Sequence, residues 1–163
     1  MDTDFDVVVV GCGPVGGIAS LLLANKGFKV AIVEKNAVPY PFPRAIALNG
    51  FTMSIIEDLL GSRWERFDYT PAIHVGYVLS KERIDEPFGL MQPPVIDDKI
   101  LDLDKYGFVN WFNQPQLESL LRETIDENPN ITKFFNYNAL ILWESKRNHL
   151  TIEEATTGTT QTL

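Results

Sequence analysis

The chain has 163 residues, 45 % of them hydrophobic, and its 22 acids against 14 bases give a formal net charge of −8. This is apolar material for about one packed domain, which excludes disorder and fibrous repeats, and no basic stripe recommends nucleic acid as a partner. Cys12, the single cysteine, cannot close an internal disulfide. The start "MDTDFD" is acidic where a secretory signal is basic, there is no Cys/His metal-ligand spacing, and no run nears the ~20 apolar residues of a membrane span, so a cytoplasmic protein without metal or membrane is expected.

Val7 to Val10 are an uninterrupted β-branched run, suited to a central parallel strand buried on both faces. Gly11-Cys12-Gly13-Pro14-Val15-Gly16 follows at once as G-x-G-x-x-G. Gly11 permits the sharp turn, Gly13 removes a Cβ where a pyrophosphate must approach, and Gly16 lets the next helix lie close to the strand. Free N–H groups and the positive dipole end at that helix start attract phosphate, and Pro14 fits a first-turn position whose N–H would have no partner. Cys12 reads as a small filler rather than a reactive thiol.

The helix continues through Ile18, Leu21, Leu22 and Ala24, and Gly27 stops it. Lys29 to Val33 read as a second strand, with Glu34 at its end, 23 residues after Gly11. A carboxylate there can accept from both hydroxyls of an adenosine ribose and would repel a 2′-phosphate, so the nucleotide is expected to be FAD or NAD rather than NADP. A tight strand–helix turn without a ligand is the alternative.

Pro39, Pro41 and Pro43 impose a stiff, extended loop that delivers Arg44. A guanidinium on a stiff loop suits a fixed anion, although an ordinary surface arginine fits the same residues. Asn49 caps a helix with the apolar stripe Met53, Ile56, Leu59 and Leu60, ended by Gly61. "SRWERFDYTP" reads as a connection. From about 70 to 110 the pattern departs into antiparallel structure, with a strand over His74 to Leu79 and a polar turn in "KERIDEP". Asp97, Asp98, Asp102 and Asp104 read as a solvated face, since the glycine of a Ca²⁺ loop is missing. His74 reads as a strand residue and His149 as a turn residue. A helix then starts near Pro115 with Leu117, Leu120, Leu121 and Ile125 on one face, and Asn128-Pro129 closes it. Gln114, just before it, is either a plain cap or a ligand donor. Ile131 to Phe135 suit a return to the parallel sheet. Ala139 to Ser145, Leu150 to Glu154 and Thr159 to Leu163 form a β-meander over about 137–163.

With "VVVVGCGPVGGIASLLLANKGFKVAIVEK", "YPFPRAIALNGFTMSIIEDLLG" and "FNQPQLESLLR" in this order, the chain resembles the N-terminal part of the single-component FAD-dependent aromatic hydroxylases, especially the 3-(3-hydroxyphenyl)propionate hydroxylase-like branch. The resemblance implies an α/β fold: a Rossmann-like FAD-binding βαβ domain with an antiparallel insertion and meander, incomplete over residues 1–163. It implies FAD as cofactor and NAD(P)H as co-substrate. In that family the reduced flavin traps O2 as a C4a-hydroperoxide that hydroxylates a phenol-like ring. The implied partners are a small aromatic substrate and O2, with room for a homodimer. The implied cofactor-binding residues are Gly11, Gly13, Pro14, Val15, Gly16, Glu34, Lys35, Arg44 and Gln114; no catalytic residue and no metal ligand is assigned. The family's later "GADG"- and "GDAAH"-type segments do not occur in the chain, so residues 1–163 alone are expected to be inactive. A non-catalytic FAD- or NAD-binding module and an NAD-dependent dehydrogenase domain are the alternatives.

Overall fold

The computed structural model describes residues 5–72, 76–77, 89–90, 95–96, 99–100, 105–107, 109–140 and 149–163. Strand β1 (Val7–Val10) leads through the Gly-rich turn into helix α1 (Pro14–Asn25), which returns the chain to β2 (Val30–Glu34). β1 and β2 are parallel, with Val7 opposite Val30 and Val10 opposite Val33. β10 (Ile131–Phe135) joins the other edge of β2, also parallel, as its sequence suggests. Among the described residues the order is β1-β2-β10, with β2 between its two parallel neighbours. Val30 to Val33 are at most 1 % exposed, whereas Val10 is 60 % exposed. No strand pairs with the outer edge of β1 among the described residues, so its β-branched side chains are only partly covered.

Helix α2 (Gly50–Leu60) has Asn49 as its N-cap, the Asn49 side chain accepting from Thr52 N at 2.8 Å. Met53, Ile56, Leu59 and Leu60 are buried as the stripe predicts. Helix α3 (Gln114–Asp126) buries Leu117, Leu120, Leu121 and Ile125, and it packs against α1 and α2. Each such side chain contributes about 1.5–3 kcal/mol by leaving water. Close α1–α3 approach depends on Gly17, where an added Cβ would meet Leu121 Cδ1 at 3.3 Å.

A second sheet, unrecognised in the sequence, stands beside these helices. Its order is β3 (Ala47–Asn49), β9 (Val109–Phe112), β4 (Tyr69–Ala72), all antiparallel. The stretch read as a plain connection holds a 3-10 helix, Gly61–Arg66, before β4. Trp64, Phe67, Tyr69 and Tyr106 form an aromatic cluster there, with ring centroids 5.3–6.0 Å apart. In the antiparallel excursion, β5 (Gly76–Tyr77) pairs with β6 (Gly89–Leu90) and β7 (Val95–Ile96) with β8 (Lys99–Ile100). His74, the "KERIDEP" turn and the four aspartates lie outside the described residues. The meander is present as β11 (Tyr137–Leu140), β12 (Thr151–Glu154) and β13 (Thr160–Thr162). No helix among the described residues is long and apolar enough to cross a membrane.

Candidate functional site

The Gly-rich turn sits at the C-terminal ends of β1 and β2, where an α/β sheet presents its loops to ligands. Gly11 has φ +101°, in the region glycine tolerates, and its N–H donates to Val33 O at 2.7 Å. A Cβ on Gly16 would lie 2.0 Å from Gly11 O, so the sequence-based role of Gly16 is met: only glycine lets α1 start this close to the turn. Gly13 differs. It is the N-cap of α1 with extended backbone, and the nearest atom to an added Cβ is Glu118 Oε1 at 3.9 Å. Space above Gly13 is therefore open. No side chain caps α1, Pro14 occupies its first turn, and Val15 is exposed there. An uncapped helix start under an open glycine turn is a cradle for an anion, and it fits a dinucleotide's diphosphate.

Glu34 ends β2 beside this cradle. Its Oε2 accepts from Cys12 N at 2.9 Å, and its Oε1 accepts from Asn36 N at 2.8 Å and Asn36 Nδ2 at 2.9 Å. Burial works against its charge, but these N–H donors and the Arg122 guanidinium outweigh it and hold the carboxyl below the usual range. Glu34 is thus an anion, locked to the turn. A carboxylate has about four lone-pair sites, so one on Oε2 stays open for a hydroxyl. Cys12 is 2 % exposed, and burial pushes its thiol up to about 11. It is an inert filler under the turn.

The remaining expected residues divide. Lys35 is exposed at the end of β2. Arg44 is exposed on the proline loop, its guanidinium 5.2 Å from the centre of the Tyr40 ring. Gln114 is not ahead of α3 but is its first residue, with Asn113 as the cap. It is 5 % exposed; its Oε1 accepts from Arg44 N and Ala45 N, both at 2.7 Å, and its Nε2 donates to Glu118 Oε1 at 2.7 Å. Gln114 therefore reaches the Arg44 loop from beneath. Sequence reasoning missed Glu118 and Arg122, both buried on α3. Their signal was available: four-residue spacing from Gln114 puts three polar residues on one helix face. A separate open groove of about 670 Å³ lies beside the loop, lined by Pro41, Pro43, Ile46 and Trp111 among others, and touches neither Glu34 nor the glycines. No group of three or more candidate metal ligands occurs among the described residues.

Comparison with known proteins decides the family. The model of the FAD binding domain family matches residues 4–163. This chain belongs to that family. Its FAD binding domain is 44 % identical over 48 residues to the 3-(3-hydroxy-phenyl)propionate/3-hydroxycinnamic acid hydroxylase of Mycobacterium sp. (strain JLS), a match over 29 % of this chain and 8 % of that protein. It is 44 % identical over 54 residues to the 2,4-dichlorophenol 6-monooxygenase of Delftia acidovorans, over 33 % of this chain and 9 % of the relative. The structure matches p-nitrophenol 4-monooxygenase from Pseudomonas putida DLL-E4 with a TM-score of 0.70 at 23 % identity, covering 100 % of this chain and 39 % of that one. The fold is therefore that of an FAD-binding α/β protein, and the FAD binding domain spans well under half the length of the proteins it matches.

Proposed function

We propose that this chain is the FAD-binding part of a flavin-dependent monooxygenase that hydroxylates a phenol-like aromatic substrate with NAD(P)H and O2. The observation that carries the reading is the hydrogen bond from Cys12 N to Glu34 Oε2, 2.9 Å long. It sets the acid suited to a ribose directly against the turn suited to a diphosphate. Gly11, Gly13, Pro14, Val15 and Gly16 would shape and line the diphosphate's seat. Val15 and Gly16 would offer N–H groups to it. The free lone pair on Glu34 Oε2 would take one ribose hydroxyl; the second requires Asn36 Nδ2 to yield its place on Oε1. Lys35 and the loop cation Arg44, held by Gln114, would supply positive charge around the cofactor. Bound flavin supplies the redox and oxygen chemistry, and the protein supplies its position.

The names of the relatives support an aromatic substrate. Against a dehydrogenase domain stands the antiparallel β3-β9-β4 sheet, placed where a further βαβ unit would continue. The test is to purify the full-length protein and record its visible spectrum and its NAD(P)H oxidation. Flavin bands and oxidation stimulated by phenols are expected. A colourless protein that binds NAD overturns the reading in favour of the dehydrogenase.

A further inference from the structure

Helix α3 buries an unusual stripe. Gln114, Glu118 and Arg122 follow at four-residue intervals and are 5 %, 3 % and 8 % exposed, on a helix otherwise packed through leucines. Burying an amide, a carboxylate and a guanidinium costs stability unless each is bonded. A helix that served only packing would carry apolar side chains here.

What the three side chains hold gives the stripe a purpose. At its start, Gln114 Oε1 gathers the N–H groups of Arg44 and Ala45. In the middle, Glu118 accepts from Gln114 Nε2. Because its oxygen accepts from two loop N–H groups, which only donate, Gln114 turns its nitrogen to Glu118. Glu118 Oε1 also lies 3.9 Å from the position of a Gly13 Cβ, so the middle rung borders the cradle. At the far end, Arg122 Nη1 donates to Ala37 O at 2.9 Å and, more weakly, to Asn36 O at 3.4 Å. Its guanidinium lies 4.5 Å from the centre of the Phe135 ring, and Phe135 is the β10 residue paired with Glu34. Asn36 in turn holds Glu34 Oε1, and Glu34 holds Cys12 N.

We propose that Gln114, Glu118 and Arg122 form a positioning ladder on α3 that sets the Arg44 loop and the Glu34 turn at the spacing a dinucleotide needs. The proposal rests on the FAD reading above and deepens it. Arg122 acts through Asn36 and Glu34, and Glu118 acts through Gln114 and the Arg44 loop.

The experiment is a double-mutant cycle on the full-length holoprotein, read as the FAD dissociation constant from flavin fluorescence and as the melting temperature of the apoprotein. Arg122→Met is expected to raise the constant about tenfold in the wild-type background, the scale of one hydrogen bond from a charged group, and less than about threefold in a Glu34→Ala background. The melting temperatures show which variants keep their fold. Arg122→Lys, which keeps one donor for the carbonyls, should recover part of the loss and replaces the methionine variant in the cycle if that variant does not fold. Glu118→Gln, which still offers an oxygen to Gln114, should stay within about twofold, whereas Glu118→Leu should lose about tenfold, a loss that Arg44→Met absorbs. An Arg122 effect equal in both backgrounds, or no effect on FAD, overturns the ladder and leaves the FAD reading standing. If Glu34→Ala itself leaves the constant unchanged, the reading of Glu34 at the ribose falls, and the ladder with it.

Discussion

The glycines of the first turn share a motif and differ in what they do. A Cβ on Gly16 would meet Gly11 O at 2.0 Å and Gly11 C at 3.0 Å, backbone atoms that cannot step aside. Gly16→Ala should therefore destabilise even the cofactor-free protein, by about 1–3 kcal/mol, seen as a lower urea midpoint. Gly13→Ala meets nothing closer than 3.9 Å at a φ of −78°, so its cofactor-free protein should lose only the cap preference of glycine over alanine, about 0.5–1 kcal/mol. Its FAD affinity should nevertheless fall, because the new methyl stands in the open space of the cradle. Equal effects of the two substitutions on the cofactor-free protein would contradict this division of labour. Glu34 adds a pH signature. Its folded pKa lies below the ordinary value of 4.5, so its contribution to stability is complete above that pH and is lost as pH falls through the folded value. The stability gap between wild type and Glu34→Gln should therefore be wide at pH 7 and close on acidification below about pH 4.5. Urea unfolding of the cofactor-free proteins at several pH values measures it, and a gap independent of pH would show that the carboxylate is not held as an anion.

Among the elements, helices with one regular apolar face and strands with a β-branched run were readable. Asn49 ahead of the Met53–Leu60 stripe announced α2, and the structure places its side chain on Thr52 N at 2.8 Å. Asn49→Ala should cost about 1 kcal/mol by urea unfolding, and Asn49→Asp should cost little, because an aspartate oxygen caps as well. No difference between the two would remove the cap from the account. β9 escaped notice because its pattern runs against the usual alternation: Asn110 and Phe112 are buried while Trp111 is 43 % exposed. β3 has three residues, too few for any period to show. The valine run was correctly read as a strand, since its β-branched side chains prefer a pleated surface. At the site, the motif glycines and Glu34 were legible because local chain geometry dictates them. Glu118 and Arg122 left only their four-residue spacing from Gln114 as a signal, because their partners on the 36–45 loop are distant in sequence or reached only through Gln114.

At the scale of the whole molecule, apolar exposure and net charge oppose each other. The outer edge of β1 has no paired strand among the described residues, and unpaired strand edges are templates for association. Val10, Val15, Phe42, Ile46 and Phe51 are each at least 60 % exposed. Scattered apolar residues are ordinary on a surface, but here one of them ends an open strand and two flank the Arg44 loop. A net charge of −8 keeps copies apart at neutral pH, and that repulsion vanishes near the isoelectric point of about 4.7. The Glu34 contribution to stability is lost only below about pH 4.5, so repulsion fades before that contribution does. A protein consisting of residues 1–163 alone should bind a hydrophobic dye at pH 7 and scatter light increasingly as pH approaches 4.7, with added salt raising the onset pH by screening. If more chain follows this domain, as it does in the proteins the domain matches, the longer protein should bind less dye per molecule under the same conditions. A dye-silent 1–163 protein that stays monomeric through pH 4.7 and melts in one cooperative step would show that these surfaces are stable in water and need no cover.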